Sequence, residues 1–254
     1  MFTIAQNTIR ELIRNKLFSV IVFLGVIFIL ISFALETLAL GELERMMYDF
    51  GLSFIELTGF SIILFLGGSM IAREIEGRTI FLMLSKPIPR SSIFLGKFIG
   101  FAVVIIAMVA FQSALLIGLL LWKGFAIDML IFPAILGITL KLFALLGLIL
   151  FFSTFTSPMI SMFLTIASYI IGHGGYTMLD YARWDASPTM GYIGQAILTL
   201  FPNLESLNLK NYVATSAPID LSIWYIAFAL AVVYIVILLS LGSWIFSKKS
   251  FDNA

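Results

Sequence analysis

Residues 73–97 read Arg73-Glu-Ile-Glu-Gly-Arg-Thr-Ile-Phe-Leu-Met-Leu-Ser-Lys-Pro-Ile-Pro-Arg-Ser-Ser-Ile-Phe-Leu-Gly-Lys97. This is the one long charged block of the chain, and it stands between two apolar runs each long enough to cross a bilayer. Its charges and its proline-broken backbone could not be satisfied in lipid, so it is a loop on one face of the membrane. The apolar centre, Ile80 to Leu84, is too short to span and too hydrophobic for an idle linker. A loop of this kind is built to dock against another surface.

The rest of the chain supports a membrane setting. It has 254 residues, of which 61% are hydrophobic and 11% charged, with a mean hydropathy of +1.10. A soluble domain is nearer half apolar and a quarter charged. A net charge of +1 gives no basic field to attract nucleic acid. One His and no Cys leave neither a disulfide framework nor a metal-ligand cluster of the usual kind.

Six segments reach the roughly 20 apolar residues a spanning helix needs: 17–38, 54–72, 98–122, 130–152, 158–180 and 222–246. The fold class expected is an all-α integral membrane protein, one transmembrane domain over residues 1–254. The apolar run Leu17 to Leu35 exceeds the core of a signal peptide, so the first segment reads as an uncleaved span. Ahead of it, Phe2, Ala5, Ile9, Leu12 and Ile13 recur at helical spacing opposite Gln6, Asn7, Arg10, Glu11 and Arg14. Residues 2–16 therefore read either as an amphipathic interfacial helix or as an ordinary positively charged flank. The segment 181–221 is the longest outside connection, and its apolar stretch Tyr192 to Phe201 is half a span long, fit for an interfacial or re-entrant helix.

Orientation follows from the basic residues. Arg10, Arg14, Lys16, Arg73, Arg78, Lys86, Arg90, Lys97, Lys248 and Lys249 fall on one side, and Arg45, Lys123, Arg183 and Lys210 on the other. Both termini and the 73–97 loop are thereby placed in the cytoplasm, and 181–221 outside.

Within the loop, Gly77 allows a turn or helix end, and Thr79 can cap a short helix through Leu84. Lys86-Pro-Ile-Pro89 cannot be helical throughout, because each proline drives its predecessor toward extended geometry. Ser91 or Ser92 can cap the helix that becomes the third span. There is no phosphate-cradling Gly-x-x-x-x-Gly-Lys-Ser/Thr: Ser91 stands where the first Gly belongs before Gly96-Lys97. Catalytic serine and zinc-binding signatures are missing too, so ATP work belongs to another polypeptide.

Glu74, Glu76, Gly77, Thr79, Ile80, then Leu84, Ser85, Lys86, Pro87, Ile88, Arg90, then Leu95, Gly96 and Lys97 form a pattern that resembles the cytosolic loop of ATP-binding-cassette type 2 exporter permeases. The six spans, the N-terminal helix, the outside segment before the last span and the tract Ser153-Thr-Phe-Thr-Ser157 agree with that layout. Within the family the chain is most similar to the subfamily linked to nitrous-oxide-reductase maturation. The resemblance implies a non-catalytic permease subunit of the bacterial or archaeal inner membrane. It implies pairing with a second permease copy as a homodimer on two ABC ATPase subunits, which bind the ATP and Mg; this chain itself binds no cofactor. A periplasmic accessory protein is a further candidate partner. It also implies that the loop is the coupling element, with Ile80, Phe81 and Leu84 as an apolar ridge and Glu74, Glu76, Gly77, Thr79, Ser85, Pro87, Arg90 and Lys97 around it; apolar area and flanking charge suit that role.

The remaining lead is intramembrane charge. Lys141 lies near the centre of the fourth span, where a lysine costs about 2.5–3.5 kcal/mol on insertion scales and is normally paired or facing water. Glu36, near the end of the first span, and Glu56, near the start of the second, are candidate partners, both placed toward the outer surface. Such a group serves a translocation path or subunit interface, or else forms a structural pair; the sequence leaves both open. His173 reads as a hydrogen-bonded helix-end residue. The rival functions are a secondary transporter or channel running without an ATPase, and an intramembrane enzyme, for which the spans hold no cluster of His, Asp and Glu.

Overall fold

A computed structural model describes residues 1–34, 43–70, 89–184, 188–213 and 221–248, and those residues form helices and turns without a strand. The elements are α1 (Phe2–Arg14), α2 (Lys16–Ala34), α3 (beginning at Leu43), α4 (Arg90–Trp122), α5 (Ile131–Ser153), α6 (Pro158–Trp184), α7 (Pro188–Leu200) and α8 (Leu221–Lys248). α3 is α-helical over Leu43–Ile62, passes through a π-helical turn at Ile63–Gly67 and ends at Met70. Among the described residues, four helices are long and apolar enough to cross a membrane: α3, α4, α5 and α8. The count is five if α1 and α2, which meet at 65°, form one span.

α5 is the hub. Its sequence is apolar all round apart from Thr139, Lys141 and the terminal Ser153, and most of its side chains, Leu142 and Leu145 to Leu150 among them, are buried against α3, α4, α6 and α8. A helix hydrophobic on every face belongs inside a bundle. α8, equally apolar, presents Ile226, Leu230, Val233, Val236 and Ile237 outward, as a helix facing lipid does. The turn from α4 to α5 is closed by a glycine in the left-handed region. Gly124 (φ 81°) lets Phe125 N reach the Leu120 carbonyl at 3.1 Å and Gly124 N reach that of Leu121 at 3.0 Å. α3 is fastened to the same turn by Tyr48, whose hydroxyl donates to the Ala126 carbonyl at 3.3 Å and accepts from Asp128 N at 3.1 Å.

α1 does form an amphipathic helix, but its inner face is rotated from the one the spacing suggested. Ile4, Ala5, Thr8 and Leu12 are buried, while Phe2 and Ile13 are exposed. The reason lies on α4. A Cβ on Gly100 would stand 2.6 Å from the Ala5 carbonyl oxygen, and one on Gly96 3.0 Å from Ile4. Two glycines four residues apart open a seat on α4 into which the α1 backbone drops, the small-xxx-small contact of membrane helices. α2 meets α3 and α4 in a similar way at Gly25, where the Thr58 hydroxyl and the Gln112 amide fill the space a side chain would need.

Two sequence expectations are corrected. The serine cap of α4 is not made: Pro89 holds the cap position in extended geometry without a side-chain cap bond, and Ser92 N bonds the Pro89 carbonyl at 2.9 Å. The helix that carries the second apolar segment starts well before residue 54. Glu44, Arg45 and Asp49 depress the local hydropathy, yet the chain is already helical from Leu43, with Arg45 and Asp49 paired at 3.9 Å one turn apart. Glu56 therefore sits midway along α3 rather than near its outer end.

Candidate functional site

α3, α5 and α6 converge on the Glu56 carboxylate. Lys141 of α5 donates to Glu56 Oε1 at 3.3 Å, across 85 residues of sequence. Tyr169 of α6 donates its hydroxyl to the same oxygen at 3.2 Å. The fourth element is the segment that follows α7. Residues 201–213 turn back onto the bundle, and Lys210 Nζ reaches Glu56 Oε2 at 2.6 Å and Ser53 Oγ at 3.4 Å. His173 completes the group. Its Nδ1 faces the Tyr169 carbonyl at 3.0 Å and so carries the hydrogen of that bond. Its Nε2 stands 4.0 Å from Glu56 Oε1 and 3.9 Å from Glu205 Oε2. Glu205 is held in turn by Asn208 Nδ2 at 3.1 Å.

Side-chain exposure grades outward through this node. It is 0% at Lys141, 3% at Glu56, 15% at Lys210, 25% at His173 and 30% at Glu205. The inner pair is thus shut off, and the outer members approach open solvent. A lone buried charge is prohibitive in hydrocarbon, whereas a carboxylate bracketed by two ammonium groups and a hydroxyl is satisfied on both oxygens.

The sequence dictates how the outer segment gets so deep. Gly137 on α5 leaves room for the Leu207 carbonyl oxygen at a distance no side chain would allow. Gly172 on α6 accepts Leu204 N at its carbonyl at 3.3 Å, and a Cβ there would meet the Pro202 carbonyl at 2.8 Å. Leu204, Leu207, Leu209 and Val213 are buried, an apolar underside alternating with the polar residues that face the node. Asn203 caps the turn by accepting from Ser206 N at 3.0 Å. The same segment walls a cavity of 390 Å³ against α5 and α8, apolar at Ala144, Leu230 and Ala231 and polar at Asn203, Ser206 and Tyr234.

The other candidate residues are distributed as follows. Of the two partners considered for Lys141, Glu56 contacts it, and Glu36 lies outside the described residues. Glu74, Glu76, Gly77, Thr79, Ile80, Phe81, Leu84, Ser85 and Pro87, and with them the expected coupling helix, also lie outside them, and α4 opens at Arg90. Lys97 is buried, and its amine donates to the Met70 carbonyl at 3.2 Å. A cation there complements the carbonyl end of α3 and ties together the two helices from which the 71–89 connection springs. Tyr169, Glu205 and Lys210 were not singled out from sequence as site residues, and His173 is hydrogen-bonded as expected but lies within α6 beside the node rather than at a helix end. Among the described residues no group of three or more His, Asp or Glu is placed to hold a metal ion.

A helical bundle with helices long and apolar enough to span a membrane, and a buried charged node between them, is the architecture of an integral membrane protein. The chain belongs to the ABC-2 family of transporter proteins, whose family model matches residues 2–251. Proteins of this family are membrane permease components of ABC transporters, generally non-catalytic, and usually pair with an ABC ATPase subunit. No curated protein matches the chain.

Proposed function

We propose that this chain is the permease subunit of an ATP-driven exporter in a bacterial or archaeal inner membrane. It crosses the membrane six times with both termini in the cytoplasm. Two copies pair on two ATPases, which bind the ATP and Mg, and the 73–97 loop transmits their closure to α3 and α4. The loop residues favour the subfamily linked to nitrous-oxide-reductase maturation. The observation that carries the reading is the family match over residues 2–251, and the Glu56 node, a carboxylate with two ammonium groups between helices, is the candidate element of the path. The node lies where α3 meets the outer segment, so a movement of α3 driven from the cytoplasmic side reaches it directly. Lys97 supports the same route, because its bond to Met70 makes α3 and α4 respond together.

The test is purification of the tagged chain from native membranes in mild detergent. An ATPase should accompany it in equal amount, and Glu56→Gln should change transport-linked ATP hydrolysis while the ATPase stays bound. Absence of any ATPase, or transport that persists in vesicles without ATP, would contradict this reading and favour a gradient-driven carrier.

A further inference from the structure

Lys210 differs from the rest of the node in how it arrives. Glu56, Lys141, Tyr169 and His173 are fixed on the long helices α3, α5 and α6, whereas Lys210 sits in a single 3-10 turn, Lys210–Tyr212, on the segment after α7. Its amine makes the shortest contact of the node, 2.6 Å to Glu56 Oε2, with Ser53 Oγ at 3.4 Å as a second acceptor. Its side chain remains 15% exposed while Lys141 is closed off at 0%. With the Lys210 side chain withdrawn and the remainder of the segment in place, two carboxylates, Glu56 and Glu205, face one ammonium, Lys141. The place it leaves has an excess of negative charge, one carboxylate oxygen and one hydroxyl as acceptors, and a way in from outside.

We propose that this place is a cation-binding site of the permease, and that a ligand bearing a primary ammonium group occupies it by displacing Lys210. The site is sized for the compact head of a lysine, which is three donors on one nitrogen. A quaternary ammonium offers no donor to Glu56 Oε2 or Ser53 Oγ and does not fit. An anion is disfavoured, because it would meet Glu56 and Glu205 as soon as Lys210 moved. Lys210 then has two tasks. It neutralises Glu56 when the site is otherwise empty, and it sets a threshold that only a ligand supplying its own cation passes. The proposal deepens the reading of the Glu56 node as part of the transport path and names the chemistry the path accepts.

The test is a rescue experiment on the full chain in detergent. Lys210→Ala should lower the melting temperature by roughly 5 °C, less than a fully buried ion would, since the side chain is partly solvated. Ethylammonium chloride should restore it saturably at millimolar concentration, beyond its effect on wild type. Tetramethylammonium and sodium chloride at equal ionic strength should not, and Glu56→Gln with Lys210→Ala should abolish the response. A response that does not saturate, or one equal in the double variant, would overturn the proposal and leave Lys210 as a plain latch. Should Lys210→Ala fail to accumulate, its yield in cultures grown with ethylammonium decides: recovery supports the site, and no recovery while Lys210→Arg accumulates normally overturns it. The readout needs neither ATP nor transport, so its failure leaves the permease reading untouched, and loss of ATPase pairing would leave this site standing.

Discussion

Replacing Lys141 by Met removes a buried ammonium while keeping the length of the side chain, so charge rather than volume is what changes. Lys141 is 0% exposed and lies 3.3 Å from Glu56 Oε1. Deleting one partner of a buried ion pair generally costs about 3–5 kcal/mol, because the other charge is stranded. Here Glu56 keeps Lys210 at 2.6 Å and the Tyr169 hydroxyl at 3.2 Å. The cost should fall at the low end, about 3 kcal/mol, or roughly 6–12 °C in melting temperature for a chain of this size. Glu56→Gln should cost more, about 4–5 kcal/mol, since it leaves two ammonium groups facing each other with only the more distant Glu205 carboxylate near them. The double variant should cost clearly less than the two single costs together, because neither charge is then stranded. The assay is thermal unfolding in detergent at one scan rate, following the intrinsic tryptophans, with the insertion level of each variant checked by the yield of folded protein. Melting within about 2 °C of wild type for Lys141→Met, or additive single and double effects, would refute the pairing. Activity separates the two uses of the pair. A path or interface role predicts altered transport per folded molecule, whereas a purely structural pair predicts normal transport from the molecules that remain folded.

Two further outcomes follow from the fold. Gly100→Val should expel α1 from α4, where a Cβ would stand 2.6 Å from the Ala5 carbonyl; overpacking of this kind costs about 1–3 kcal/mol, and limited proteolysis should then release the first 14 residues, while an unchanged digest would show that α1 is held otherwise. A cysteine at Ser91, in a chain that has none, should resist an impermeant thiol reagent in intact cells, whereas one at exposed Tyr212 should react; labelling at residue 91 would invert the topology.

The helical membrane architecture was legible because hydrophobicity and length alone decide it: α5 and α8 begin and end close to where apolar windows placed them, and α4 ends there but begins at Arg90, well before residue 98. Lys141 stood out because a lysine amid Leu, Ile and Phe has no neutral explanation. What could not be read was long-range closure. Glu56 could be offered as a partner of Lys141 but not chosen over Glu36, and its links to Tyr169, 113 residues away, and Lys210, 154 away, were out of reach, because no periodicity links positions on different helices. The outer segment was the hardest part, because Leu204, Leu207 and Leu209 lie in short irregular turns that carry neither a helical nor a strand pattern. The glycines that admit it, Gly137 and Gly172, look like any others until a carbonyl is seen against them. The face of α1 was misjudged for a related reason: its own spacing allowed several inner faces, and only Gly96 and Gly100 on another helix select one. Those two glycines, four residues apart near the start of α4, were the signal that could have found the seat.

The central claim is that a separate ATPase drives this bundle through the connection between α3 and α4. It is tested most directly by co-purification of the ATPase with full-length permease carrying Phe81→Ala or Leu84→Asp, permease amounts held equal. Truncating a buried anchor at such an interface costs about 2 kcal/mol or more, so both variants should insert normally yet retain the ATPase roughly 30-fold more weakly. Wild-type stoichiometry with undiminished ATP-driven transport in both variants would contradict the account.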